Sequence, residues 1–201
     1  RREDVALAGG PAPVAISPDQ RFMHVAQRSS KQLTSFRIGI KDGSLAPLGT
    51  IPLGSDPCYL GMDRTGQFLL GAYYLAEKVS VHRIGTDGAA LNPPVEWRTT
   101  GRGAHCIQTD RANQFAFVPH IEGSGAPNAI FQFRFDPESG QLTPNTPNQF
   151  TTSEMLGPRH FCFHPALEVI YASNEQGCSV SVLDFEPNAG NLSHRQTVTT
   201  L

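Results

Sequence analysis

The chain lacks any long apolar run. A helix that crosses a bilayer needs roughly 18 to 20 apolar residues in a row, and nothing in these 201 residues approaches that. The opening RREDVALAGGP is charged but has no apolar h-region, so no secretory leader is expected there. It also lacks an initiator Met, which gives the expectation that the natural start lies elsewhere. An excess of one charge is missing too. Lys and Arg number 16, Asp and Glu 18, and the net charge is -2. That excludes nucleic-acid binding through a broad basic surface. Cysteine is scarce: Cys58, Cys106, Cys162 and Cys178 stand apart with no CxxC spacing. They read as reduced thiols of a cytoplasmic protein rather than as zinc ligands. No GxSxG elbow, phosphate-cradling glycine loop or HExxH occurs, and no helical period of useful length is present.

The chain is instead rich in turn residues. Hydrophobic residues make up 39% and charged residues 17%, a balance that favours a folded chain over a disordered one. The length suffices for a sizeable core in one domain. Nineteen Gly and 16 Pro among short apolar runs point to an all-β fold.

The short runs repeat. PAPVAISPDQRFMHVAQ from Pro11, PCYLGMDRTGQFLLGAY from Pro57, AHCIQTDRANQFAFVPH from Ala104 and PRHFCFHPALEVIYASN from Pro158 align, with starts 46, 47 and 54 residues apart. Each holds two apolar runs around a polar turn. A third, alternating run follows, such as Val79-Ser-Val-His-Arg-Ile. Then comes a turn (KDGS, TDGA, PESG or PNAG) and a fourth short run. Gly and Asp supply the backbone freedom these hairpins need. Four strands every 45 to 50 residues or so is the signature of a β-propeller blade. One such sheet cannot bury both faces, but sheets stacked radially can. A β-solenoid is the alternative, with repeats that are usually shorter. The expectation is a single, incomplete propeller domain over residues 1–201, with blades starting near 11, 57, 104 and 158.

A repeat carries its own control: framework positions recur and functional ones differ. The second and third positions of each first strand are Val14-Ala15, Cys58-Tyr59, His105-Cys106 and Arg159-His160. First-strand starts and second-strand ends share one rim of a propeller. That rim should collect His105, Arg159 and His160, with Tyr73, Tyr74, His120, Asn174 and Glu175. The loop HIEGSGAPNA on the same rim is about four residues longer than its counterparts, as loops that shape pockets often are. The opposite rim gets the ordinary turns.

Arg159 offers a planar fork suited to phosphate or carboxylate, and it could also pair with Glu175. His105 and His160 suit proton transfer, though each alone could be a core histidine. Four strand residues span roughly 13 Å, so His160 and His164 cannot share a metal. His164 takes the turn-opening place of Ser17, Asp63 and Asp110. Neighbouring strand residues face opposite ways, which argues against a His105–Cys106 dyad. No metal or other cofactor is expected.

GPRHFCFHP (157–165) followed by YASNE resembles the GPRH…FHP…NE signature of the seven-bladed lactonase propellers. That family includes propeller-type 6-phosphogluconolactonases and fungal 3-carboxymuconate cyclases. PVAISPDQRFMHV, GQFLLGAYY…VSVHRI and GAHC…QFAFVP extend the resemblance over nearly the whole chain. It implies an intact protein of roughly 330 to 370 residues, with about four of seven blades here. It also implies a site made of His105, Arg159, His160 and Glu175, the residues that the repeat comparison separates out. Ala72-Tyr73-Tyr74 and Cys106 depart from the family pattern, which has a SYN-type segment and a serine there. The implied function is metal-independent hydrolysis of a small anionic sugar-acid lactone, 6-phosphogluconolactone first. In that reading His105 or Glu175 activates water. Arg159 binds the anion or oxyanion, and His160 orients the ring or protonates the leaving oxygen. Tyr73, His120 and Asn174 are further substrate contacts. Carboxymuconate cycloisomerisation is the alternative, and a non-catalytic interaction scaffold the second. Neither nucleic acid nor membrane is an expected partner.

Overall fold

The structure is a computed structural model that describes residues 4–201 except 122, 124 and 153. It contains four antiparallel sheets of four strands, each in sequence order. The first blade holds β1 (Pro11–Ile16), β2 (Phe22–Gln27), β3 (Gln32–Ile38) and β4 (Leu45–Pro52). The second holds β5 (Tyr59–Met62), β6 (Phe68–Tyr73), β7 (Lys78–Arg83) and β8 (Glu96–Thr99). The third holds β9 (Gln108–Thr109), β10 (Phe115–His120), β11 (Ala129–Phe135) and β12 (Leu142–Thr151). The fourth holds β13 (Pro158–Phe163), β14 (Val169–Asn174), β15 (Ser179–Glu186) and β16 (Asn191–Thr199). No helix among the described residues is long and apolar enough to cross a membrane.

The cores lie between blades. Ala15, Ala26 and Leu33 of the first blade pack with Leu60, Leu69 and Tyr73 of the second. Phe68, Leu70 and Val81 meet Ile107, Val118 and Phe133. Phe117 and Ile130 meet Phe161, Ile170 and Leu183. The second and third sheets each contribute to two cores, so both of their faces are apolar and need a neighbour, which is why a single unit could not fold alone.

One device recurs where blades meet. Phe22, Phe68 and Phe115 open the second strands. Arg37, Arg83 and Arg134, their Cα partners across the hairpin, stack over those rings at 5.3, 4.7 and 5.5 Å. The turn glycine of the next blade sits against each ring. A Cβ on Gly88, Gly140 or Gly190 would overlap Phe22, Phe68 or Phe115, and all three have positive φ. Arg37 and Arg83 also donate to the carbonyls of Asp87 and Glu138 in those turns. The fourth blade has Val169 and Asp184 instead.

The turns that open second strands are capped alike. Asp63 Oδ1 accepts from Phe68 N at 2.8 Å, and Asp110 Oδ1 from Phe115 N at 2.7 Å. His164 Nδ1 accepts from Ala166 N and Leu167 N at 3.0 and 2.8 Å, the structural role expected of it.

The third blade departs from expectation at its first strand, which begins at Gln108 rather than Ala104. Pro119 has no N–H to give the ladder there. What remains is an isolated Ala104–His120 bridge and a bond from His105 N to Pro119 O. His105 thus sits on irregular backbone just before its strand. Of the long loop HIEGSGAPNA, Glu122 and Ser124 lie outside the described residues.

Candidate active site

The start of β13 is held from two sides. Gly157 N donates to Asn128 Oδ1 at 2.8 Å, and Gly157 O accepts from Glu175 N at 2.8 Å. The second bond brings the residue after β14 beside the first residues of β13, so Arg159 and Glu175 become neighbours. Arg159 Nε lies 2.9 Å from Glu175 Oε2 and donates to His105 Nε2 at 3.0 Å. The third and fourth blades are therefore joined through one guanidinium nitrogen. An exposed ion pair is worth only about 0–1 kcal/mol, and these side chains are 45% and 42% exposed. The pair therefore matters for where it points Arg159 more than for stability. Its terminal Nη groups have no partner among the described residues and are free for an anion.

The bond to Arg159 also fixes the tautomer of His105. Nε2 accepts, so the proton of the neutral ring is on Nδ1, which is buried without a partner among the described residues. Burial, and then the charge of Arg159, hold His105 down at about 4, so it is neutral at pH 7. The His160 ring stands edge-on to it, centroids 5.0 Å apart. Burial first and Arg159 second lower the His160 pKa, while Glu175 opposes them. Neither ring nitrogen of His160 has a partner among the described residues. Of the two histidines, His160 has its lone pair free.

The four expected catalytic residues thus come together, and the three additional substrate contacts do not. Tyr73 is fully buried, its hydroxyl 3.1 Å from Ser80 Oγ and its ring edge-on to Trp97. His120 is fully buried. Its Nδ1 donates to Val118 O, and its Nε2 accepts from Thr100 Oγ1. Asn174 is 4% exposed and donates to Ser179 and Ser181. Each is the last residue of a second strand, with its side chain turned into the blade packing. Tyr74 and Tyr59 stand nearer the site. Tyr74 is edge-on to His105 at 6.1 Å, and Tyr59 lies 5.9 Å from His160. The Cys106 thiol is pushed up to about 12 by burial, which removes it as a nucleophile at neutral pH.

Residues 1–201 match the family described as "Lactonase, 7-bladed beta-propeller". The chain belongs to this family. It is 34% identical over 197 residues to the 6-phosphogluconolactonase of Cronobacter sakazakii, covering 96% of this chain and 56% of that protein. It is 33% identical over 186 residues to the 6-phosphogluconolactonase of Yersinia pestis, covering 92% and 54%. The chain therefore spans about half the length of the curated relatives it matches. The periplasmic gluconolactonase structure of Pseudomonas aeruginosa superposes with a TM-score of 0.86 at 24% identity, over 98% of this chain and 60% of that one. A crystal structure from Bacteroides fragilis gives 0.80 at 25% identity, over 92% and 56%. The propeller expectation stands, with four blades present.

Proposed function

We propose that the protein hydrolyses a sugar-acid lactone, 6-phosphogluconolactone first, without a metal. The observation that carries this reading is the Arg159–His160 pair: a guanidinium anchored through Nε with its Nη groups free, beside a neutral imidazole with a free lone pair. Relatives at 33–34% identity bear the name 6-phosphogluconolactonase, which agrees with it.

Lactone hydrolysis needs an activated water, a stabilised oxyanion and a proton for the leaving alkoxide. His160 takes a proton from water as its oxygen attacks the lactone carbonyl. The Arg159 Nη groups hold the oxyanion, or the anionic end of the substrate. The tetrahedral intermediate collapses with cleavage of the ring C–O bond, and His160 returns the proton to the departing oxygen. The product is the open hydroxy acid. His105 and Glu175 are weaker candidates for the base because both face Arg159, and they serve to aim it. Tyr73, His120 and Asn174 drop out of the substrate-contacting set.

A cytoplasmic setting belongs to the same proposal. It rests on the unpaired state of Cys58, Cys106, Cys162 and Cys178, the usual state in a reducing compartment. Cell fractionation tests it. The activity is tested by adding the intact protein to 6-phosphogluconolactone. Acceleration over spontaneous opening is expected, and an unchanged rate would reject the proposal.

A further inference from the structure

Tyr59, the first residue of β5, belongs to the second blade, yet it reaches the other two blades that build the site. Its ring lies 5.9 Å from the His160 ring, tilted by 52°. Its side chain packs against the core cluster that contains Cys106 of the third blade and Phe161 of the fourth. Gln108 Nε2 of the third blade donates to Phe161 O at 2.8 Å, the carbonyl of the residue after His160. The Tyr59 side chain also packs against the core between the second and third blades. One aromatic side chain therefore stands beside the His160 ring and packs into the cores on both sides of the third blade. Burial raises the Tyr59 hydroxyl above its ordinary range, so it stays neutral and does not compete for a proton.

We propose that Tyr59 is the positioning residue for His160: its ring forms the wall against which the imidazole rests and keeps water from that side. This rests on the reading of His160 as the group that moves the proton. The groups facing His160 are His105 from the third blade, Tyr59 from the second, and Arg159 and Glu175 from its own. Burial is the largest influence lowering its proton affinity, and the Tyr59 ring supplies part of that burial. A smaller, non-aromatic side chain would admit water and let the imidazole rotate.

The test uses Tyr59→Phe and Tyr59→Leu in the intact protein. The His160 imidazole is titrated by NMR, and the pH profile of kcat/KM is recorded beside it. In Tyr59→Leu, His160 should titrate at higher pH than in the wild type. The acid limb of kcat/KM should move the same way, and kcat should fall about tenfold through lost orientation of the proton-transfer group. Tyr59→Phe keeps the ring and should keep the titration. A wild-type titration of His160 in Tyr59→Leu would overturn the proposal. Should the Leu variant not fold, Tyr59→Met fills the same space flexibly and carries the same expectation. If the wild type does not turn over lactone, the hydrolase reading fails, while the NMR titration still decides the role of Tyr59.

Discussion

The two rims of the propeller obey opposite rules. On one, each of the three junctions repeats one device: a phenylalanine, an arginine stacked on it and the next blade's glycine turn pressed against it, at Phe22/Arg37/Gly88, Phe68/Arg83/Gly140 and Phe115/Arg134 with Gly190. On the other, the pairing of first with second strands makes Ala12-Pro13, rather than the expected Val14-Ala15, equivalent to Cys58-Tyr59, His105-Cys106 and Arg159-His160. Recurrence marks what assembles blades, because every interface poses the same packing problem. Variation at otherwise equivalent places marks chemistry, because a site needs unlike groups pointing at one spot. Arg159 makes the second case clearest. Its Nε bridges His105 of one blade and Glu175 of its own, a contact found at no other blade junction among the described residues.

The largest effect that would test this division is on Arg159. Arg159→Ala should lower kcat/KM by about 10²–10³, the usual cost of losing an oxyanion donor, while the melting temperature barely moves. Arg159→Lys should rescue little, since an ammonium cannot be anchored through one nitrogen and bind through two others. A large loss of stability in either variant would show that this rim, too, is built for assembly.

Acid separates assembly from chemistry in a second way. His24 and His120 are buried and held at about 4 by burial. His24 joins Ser35, which accepts from Ala90 of the next blade, and His120 joins Thr100 of the preceding blade. An unfolded histidine titrates near 6.5, so the unfolded state takes up protons first as pH falls. These two contribute their full stability above 6.5 and lose it between 6.5 and 4, by on the order of 3 kcal/mol each at most. Chemical denaturation at pH 7.5 and 4.5 reads that loss. In the proposed mechanism the activity should follow His160 instead. Its lowered pKa places the acid limb of kcat/KM below the ordinary histidine range, and a limb at or above 6.5 would contradict its assignment as the base.

Much of this was legible in the sequence, for a physical reason: a period of four strands fixes both blade and rim. The expected substrate contacts that the structure instead buries in blade packing, Tyr73, His120 and Asn174, share a cause. They end their second strands on the correct rim, but rim position locates only the backbone. Gln27, Tyr73 and Asn174 each bond a hydroxyl seven residues on, at Thr34, Ser80 and Ser181. His120 instead stacks on Phe131. The position varies in identity yet keeps one framework role, which a comparison of identities alone cannot see. The paired hydroxyls were the missed signal. Tyr59 was missed the other way: it stands in the variable slot it shares with His160, but a lone aromatic there carries no titratable group that would single it out.

A framework change should do the reverse of Arg159→Ala. The Cβ of Gly140→Ala would overlap the Phe68 ring, on a backbone with φ of +79°. Overpacking costs about 1–3 kcal/mol, and the left-handed backbone adds about 1–2 kcal/mol. Turnover per folded molecule should be unchanged, because the turn lies on the rim away from Arg159. A stability matching the wild type by denaturant titration would mean that the glycine contact is not part of the blade latch.

The smallest effect is the sharpest on the boundary between the rules. Tyr73→Phe removes only the hydroxyl that meets Ser80. Losing one buried hydrogen bond costs about 1 kcal/mol, somewhat more because the Ser80 hydroxyl is left without that partner. Nothing about the substrate should change, since the ring stays between blades and the hydroxyl never faced the site. The paired variant Tyr73→Phe with Ser80→Ala should recover part of the loss, because both polar groups are then gone. If kcat/KM fell while stability held, Tyr73 would belong to the site after all, and second-strand ends on that rim would have to be read as chemistry rather than framework.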